Sequence, residues 1–237
     1  MAKKHVKWSD DAVARFVKKA TALRESFMER VNDLHVRLMP GNDKTGRNCM
    51  TVSLLPVVDC YNCKECKYHC YDLQHDVINK GCLEQRLINS TIHQADPERY
   101  WGEIEKEVKS QFVTELRINV GGDLRGYDFD FVNDLGIHVP ACDSLFFTKN
   151  YCECNSWLDK HNGSFVDNVQ CIYSRWPGMH MENPYHMPES HILWENGSTT
   201  APAYGAYFCG GNCSYCHFYK EGCWKLNKNE HVLFKAH

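Results

Sequence analysis

Nowhere does the chain run to the roughly 18 consecutive apolar residues that a membrane helix needs. Its opening stretch, "MAKKHVKWSDDAVARFV", is basic at the start but has no continuous apolar core of the secretory kind. A cytosolic location without membrane contact is therefore expected. Charge of one sign is also missing: Lys and Arg total 27, Asp and Glu 30, and the formal net charge is −3. Without a broad basic field, nucleic acid is not the favoured partner. No phosphate-binding GxxxxGK[ST] loop, no GxSxG nucleophile elbow and no HExxH zinc motif is present, so three common enzyme chemistries lack their local signature. Internal repeats, long linkers and low-complexity stretches are absent too.

Cysteine is what the chain has in excess: 14 in 237 residues. Four N-x-[ST] sequons, at Asn89, Asn162, Asn196 and Asn212, would fit a secreted, disulfide-bonded protein. The cysteines cluster, however, whereas disulfide frameworks of small secreted domains spread theirs along the chain. Metal or cluster ligation is the expectation. The first group is Cys60-x2-Cys63-x2-Cys66-x3-Cys70, and the second is Cys209-x3-Cys213-x2-Cys216-x6-Cys223. Thiolates two and three residues apart can curl around one centre, which suits tetrahedral zinc or an iron–sulfur cluster equally. The first three cysteines of the second group also carry the C-x3-C-x2-C spacing of radical S-adenosylmethionine enzymes. The two groups can share one centre or hold two. Cys171 reads as a core residue, and Cys49, Cys82, Cys142, Cys152 and Cys154 as core or surface thiols.

Between the cysteine groups the pattern alternates strand and helix. Ser9 followed by Asp10 and Asp11 starts a helix whose apolar spacing runs to Leu38, before Pro40–Gly41. Strands are expected at 49–58, 113–120, 143–150, 168–176, 191–194 and 203–208, and helices in 71–92, after Asp96–Pro97, and near 127–137 and 154–162. Such alternation implies an α/β fold with a parallel sheet: a partial (β/α) barrel, with a flat doubly wound sheet as the alternative. Residues 1–40 read as an added N-terminal helix and 41–237 as one cysteine-rich α/β domain. In either fold the loops after the strands form the working face. The first cysteine group and Gly121-Gly122-Asp123 both follow strands and should face one another.

The loop "GNDKTGRN", a strand, and a cysteine loop closing in Cys70–Tyr71 come in that order. A strand ending in Gly122–Asp123, a C-terminal group closing in Cys223–Trp224, and a short strand ending in His237 follow. In this the chain resembles the phage gene product 88 family over about residues 41–237. The resemblance implies an iron–sulfur protein of phage, in the host cytoplasm, related to radical S-adenosylmethionine proteins and carrying a [4Fe–4S] cluster. By the same analogy Gly121, Gly122 and Asp123 would hold the amino group of S-adenosylmethionine. Zinc is the alternative metal, and a metal-stapled binding module the alternative function.

Two further stretches compete for attention. Met179, His180, Met181, His186, Met187 and His191 offer soft ligands that could bind copper, though Pro-rich spacing favours a surface loop. Basic and aromatic residues interleave in "KYHCYD" and "CHFYKEGCWKLNK", which suits stacked bases or a solvated rim around a cluster; the rim is the reading kept.

Overall fold

A computed structural model describes residues 7–42, 45–202 and 205–236. Asp43 and Lys44 in the loop, the first two residues of the strand expected at 203–208, and His237 lie outside it. Among the described residues seven strands form one sheet: β1 (Met50–Val52), β2 (Glu115–Ile118), β3 (Asp143–Thr148), β4 (Val169–Ser174), β5 (Glu189–Leu193), β6 (Ala206–Phe208) and β7 (His231–Lys235). All pair in parallel, in the order β1-β2-β3-β4-β5-β7-β6. The helices are α1 (Asp10–Met28), α2 (Tyr71–Ile78), α3 (Lys80–Ala95), α4 (Pro97–Ser110), α5 (Asp128–His138), α6 (Tyr151–Lys160) and α7 (Cys213–Phe218).

From β1 to β5 the spatial order follows the chain without reversal. The helices of the crossovers from α3 to α6 pack on one face of the sheet. Val52, Leu116, Ile118, Phe146, Cys171 and Tyr173 pack there against Ile92, Tyr100, Ile104, Phe129, Val132 and Leu158 from α3 to α6. Because strand side chains alternate, Leu145, Ile172 and Val232 point the other way. They meet Cys223, Trp224 and Leu226 of the C-terminal segment. β5 is displaced along the sheet, its first two residues pairing with Tyr173 and Ser174 at the end of β4.

The long helix expected to reach Leu38 stops at Met28. Leu34, Val36 and Leu38 are instead three successive inward positions of an extended segment, all buried. Their spacing satisfies a period of two as well as a helical one, and tertiary partners decide between them. Arg99 donates to the carbonyls of Val31 (3.0 Å) and Leu34, and Glu103 accepts from the Val36 amide at 2.7 Å. Met39 then pairs antiparallel with Thr51. The strand expected at 49–58 likewise shortens to three residues.

α1 itself begins as expected, with Ser9 accepting from the Ala12 amide at 3.2 Å. Its buried face, Val13, Phe16 and Ala20, packs on Leu55, Leu73 and Leu87. The N-terminal helix is thus built into the region that carries the first cysteine group. Among the described residues no helix is long and apolar enough to cross a membrane.

Candidate functional site

The first cysteine group hangs from the exit of β1. Leu54 donates to the Gly121 carbonyl at 2.9 Å, so the exits of β1 and β2 stay together past their last ladder pair. The Asp59 carboxylate then folds the chain: Oδ2 accepts from the Leu55 amide at 2.9 Å, and Oδ1 from Arg24 of α1 at 2.6 Å. Val57 is held at φ 67°. That conformation is strained for a β-branched residue. It aims the Val57 N–H at the Cys60 sulfur, 3.2 Å away. Cys66 and Cys63 sulfurs lie 3.6 Å apart. The Cys70 sulfur caps α2 by accepting from Leu73 at 3.4 Å, while Trp8 donates to the Cys70 carbonyl at 3.1 Å.

These four cysteines line one cavity of about 340 Å³, together with Gly121, Gly122, Arg117 and Lys149. The expectation that the cysteine loop faces the glycine turn is met for both glycines. Gly122 has φ 86°, and a Cβ there would stand 2.7 Å from that of Leu54. The glycine is needed for close packing of the two strand exits. Asp123 stands behind this wall. Its Oδ1 accepts from Leu124 (2.9 Å) and Thr148 (2.7 Å), and its Oδ2 from the Lys149 amide (2.9 Å). Those bonds tie β2 to the end of β3. Burial raises the Asp123 carboxyl above its ordinary value, against the pull of Lys149.

The sulfurs are electrostatically unlike one another. Hydrogen bonding with Cys63 lowers Cys60 and brings Cys66 down to about 7, while Cys63 itself is raised. Burial opposes ionisation of Cys60 and Cys66, and the Lys149 ammonium favours it. Cys70 is pushed up by burial. Lys149 was not legible in the sequence as a site residue; only its place at the end of an expected strand pointed here. His69, Trp176 and Trp194 gather on the same cavity, with Trp194 4.8 Å from His69 and 6.0 Å from Trp176 between ring centres.

Tetrahedral zinc with bonds near 2.3 Å needs sulfurs about 3.8 Å apart. Cys63 and Cys66 come that close, and among the described residues no three cysteine sulfurs lie within 4.8 Å of one another. Thiols gathered on one cavity, two of them at a zinc-like spacing, offer ligands for zinc or for a cluster alike.

The second cysteine group lies elsewhere. Asn212 caps α7 by accepting from Tyr215 at 2.9 Å. Ser214 donates to Glu115 at 2.7 Å and His217 meets Asp143 at 2.8 Å. Glu115 and Asp143 are the first residues of β2 and β3, so α7 sits by the entrance of those strands. Glu115 and Gly121 are separated by up to about 20 Å of extended chain. Cys223 receives a hydrogen bond from Tyr207 (3.3 Å), and burial pushes its thiol up to about 12. Cys209 and Cys213 pack into the same cluster with Cys216, which opens onto a second cavity beside Tyr207 and Tyr215. None of the four lines the first cavity. Arg117 stands between the groups, lining that cavity and donating to the Cys213 sulfur at 3.6 Å. One centre shared by both groups is therefore not what the fold builds.

The Met/His run is also divided. Met181 and Met187 are buried in the main core, and Asn183 staples the loop by bonding Met187 in both directions at 2.8 Å. His191 joins β5. Among the described residues, His180 and His186 join no group of three His, Cys, Asp or Glu side chains. Cys171 is buried in β4, as expected, with Cys154 4.0 Å from it. In comparisons with known proteins, no family model, no curated protein and no solved structure matches the chain.

Proposed function

We propose that the chain is an iron–sulfur protein of the phage gene product 88 kind, built on a partial (β/α) barrel. Its first cluster would be held by Cys60, Cys63, Cys66 and Cys70 in the cavity at the strand exits. The observation that carries this reading is the meeting, on one cavity wall, of all four cysteines with the Lys149 ammonium and the Gly121–Gly122 turn. The unreversed order of β1 to β5 and the displacement of β5 support a curved, staggered sheet with its cavity on the concave side.

A [4Fe–4S] cluster bound here would supply one-electron reducing chemistry. The chain's own contribution is to hold the sulfurs, favour their ionised form through Lys149, and close the wall with glycine backbone. The remaining cavity suits a small ligand with a flat ring, since His69, Trp176 and Trp194 present aromatic faces. S-adenosylmethionine meets that description. Asp123 is engaged with β3, so on the glycine side only Gly121 and Gly122 would touch such a ligand.

The C-terminal group favours the non-catalytic alternative for its half of the molecule. Cys209, Cys213, Cys216 and Cys223 join β6, α7 and the segment before β7, as a metal or cluster staple would. Exposed Phe208, Tyr215, Phe218 and Tyr219 surround it as a surface for a protein or nucleic-acid partner.

The test is anaerobic purification with iron, sulfide and zinc analysis of the wild type and the Cys60→Ser/Cys63→Ser double variant. The wild type should be brown, and the variant should lose one cluster's share of iron and sulfide. A colourless wild type carrying zinc alone would sink the reading. A brown protein whose reduced form neither binds nor cleaves S-adenosylmethionine would remove only the enzymatic part.

A further inference from the structure

On the opposite face of the sheet from the cavity, Glu189, His191 and His231 converge. Glu189 and His191 are two apart on β5 and so share a face. His231 is the first residue of β7 and pairs in register with Glu189. Ile192, Trp194 and Phe234, on the alternate positions, line the cavity instead. The His191 Nε2 lies 3.1 Å from His231 Nδ1 and 3.3 Å from Glu189 Oε2, and His231 Nδ1 is 3.7 Å from the same oxygen. The His191 and Glu189 side chains are 0% and 9% exposed and that of His231 17%, so the group is covered with an opening at His231.

A single His191 Nε2–H shared between His231 Nδ1 and Glu189 Oε2 would account for the two shorter edges, while the 3.7 Å edge is too long for a hydrogen bond. A neutral imidazole brings at most one proton to this triangle, and a carboxylate brings none. If both rings donate to Glu189, the 3.1 Å histidine contact sets two N–H groups against each other. A cation at the centre satisfies all three lone pairs. Ligands about 2.0–2.1 Å from a tetrahedral ion stand about 3.3 Å apart, close to the three edges found here.

The surroundings fit as well. His191 Nδ1 is 2.9 Å from Thr200 Oγ1, which would accept its proton and fix the tautomer that leaves Nε2 free to ligate. Glu189 Oε1 accepts from Asn183 at 3.1 Å, orienting the carboxylate. Arg175 also reaches Oε2 at 3.4 Å, so its guanidinium would share that oxygen with the ion.

We propose that Glu189, His191 and His231 form a cysteine-free site for a first-row divalent ion, zinc foremost. Three protein ligands of two imidazoles and a carboxylate are a set used by catalytic zinc, whose fourth position takes water or substrate. Nothing in this inference depends on the iron–sulfur reading, since the site shares no residue with either cysteine group.

The experiment is metal analysis after chelation and back-titration with zinc, then with cobalt, on the full chain. Wild type, His231→Ala, Glu189→Gln and Cys60→Ser/Cys63→Ser are compared, with far-ultraviolet circular dichroism as the fold check. His231→Ala and Glu189→Gln should each bind one zinc fewer than wild type, and the cysteine variant should keep that zinc. The cobalt difference spectrum between wild type and His231→Ala should show visible d–d bands without a sulfur-to-cobalt charge-transfer band. Thr200→Val, which keeps all three ligands, should weaken the site by about tenfold or more. It gives the answer if a ligand variant fails to fold. Equal zinc in wild type and the folded ligand variants, zinc affinity unchanged in Thr200→Val, or a difference spectrum dominated by sulfur charge transfer overturns the proposal.

Discussion

At the scale of single residues, charge and burial assign different work to two aspartates beside the cavity. Asp123 spends its carboxylate on three donors in β2 and β3. Asp123→Asn turns an NH2 toward one of them and should cost about 1–3 kcal/mol in urea unfolding of the metal-free protein. Unchanged stability would instead mean that its role is confined to a ligand. Asp76 is bonded to Arg86 through Oδ1 at 2.8 Å, while its Oδ2 has no hydrogen-bond partner. Burial raises its carboxyl to about 6, against the attraction of Arg86. A carboxyl raised in the folded state binds its proton more tightly there than when unfolded. Its contribution is present in full below the unfolded pKa and is lost as pH rises through about 6. Between pH 4 and pH 7 the wild type should therefore lose on the order of 2–3 kcal/mol relative to Asp76→Asn. Unfolding curves at a series of pH values read the gap, and a gap constant with pH contradicts the assignment.

Among the elements, α1 determines how firmly the first cysteine loop is held. Its Arg24 reaches both Asp59 at 2.6 Å and Ser90 at 3.1 Å, joining the loop to α3. Trp8, just before the helix, holds the Cys70 carbonyl. Removing Arg24 leaves Asp59, which is mostly buried, with one partner fewer immediately before Cys60. Arg24→Ala should destabilise the protein by roughly 2 kcal/mol. It should also speed amide hydrogen exchange across residues 57–70 more than in β3 or β4. Uniform exchange throughout would show that α1 is not the clamp of this loop.

At the scale of the whole molecule, the length of the strands separates the chain's two cysteine groups. One lies at the strand exits around a cavity, the other by the entrances of β2 and β3, with Arg117 between. The two should therefore load independently. Cys213→Ser/Cys223→Ser should remove metal from the second group and leave the first group's share intact, and the losses of this variant and of Cys60→Ser/Cys63→Ser should add. Complete loss of metal in either double variant would point back to one shared centre. The Glu189, His191 and His231 group uses the opposite face of the same sheet.

The sequence by itself determined the α/β class, the parallel sheet, the helix starts at Ser9 and Asp96, and the cysteine loop after the first strand. Each of these rests on local chemistry: caps, alternation, and ligand spacing within a few residues. It also placed Gly121 and Gly122 opposite that loop, because strand exits of a parallel sheet share one edge. What only the tertiary structure decided were choices that local pattern leaves equal. Leu34, Val36 and Leu38 fit two periods, and the carbonyl-binding Arg99, more than 60 residues later, selects the extended one. Whether two cysteine groups meet depends on which end of each strand they adjoin, and His217 and Ser214 fix that through Asp143 and Glu115. Lys149 joined the thiols, and His231 joined Glu189 and His191, through strand pairing between distant segments. Spacing along a chain carries no record of such pairing.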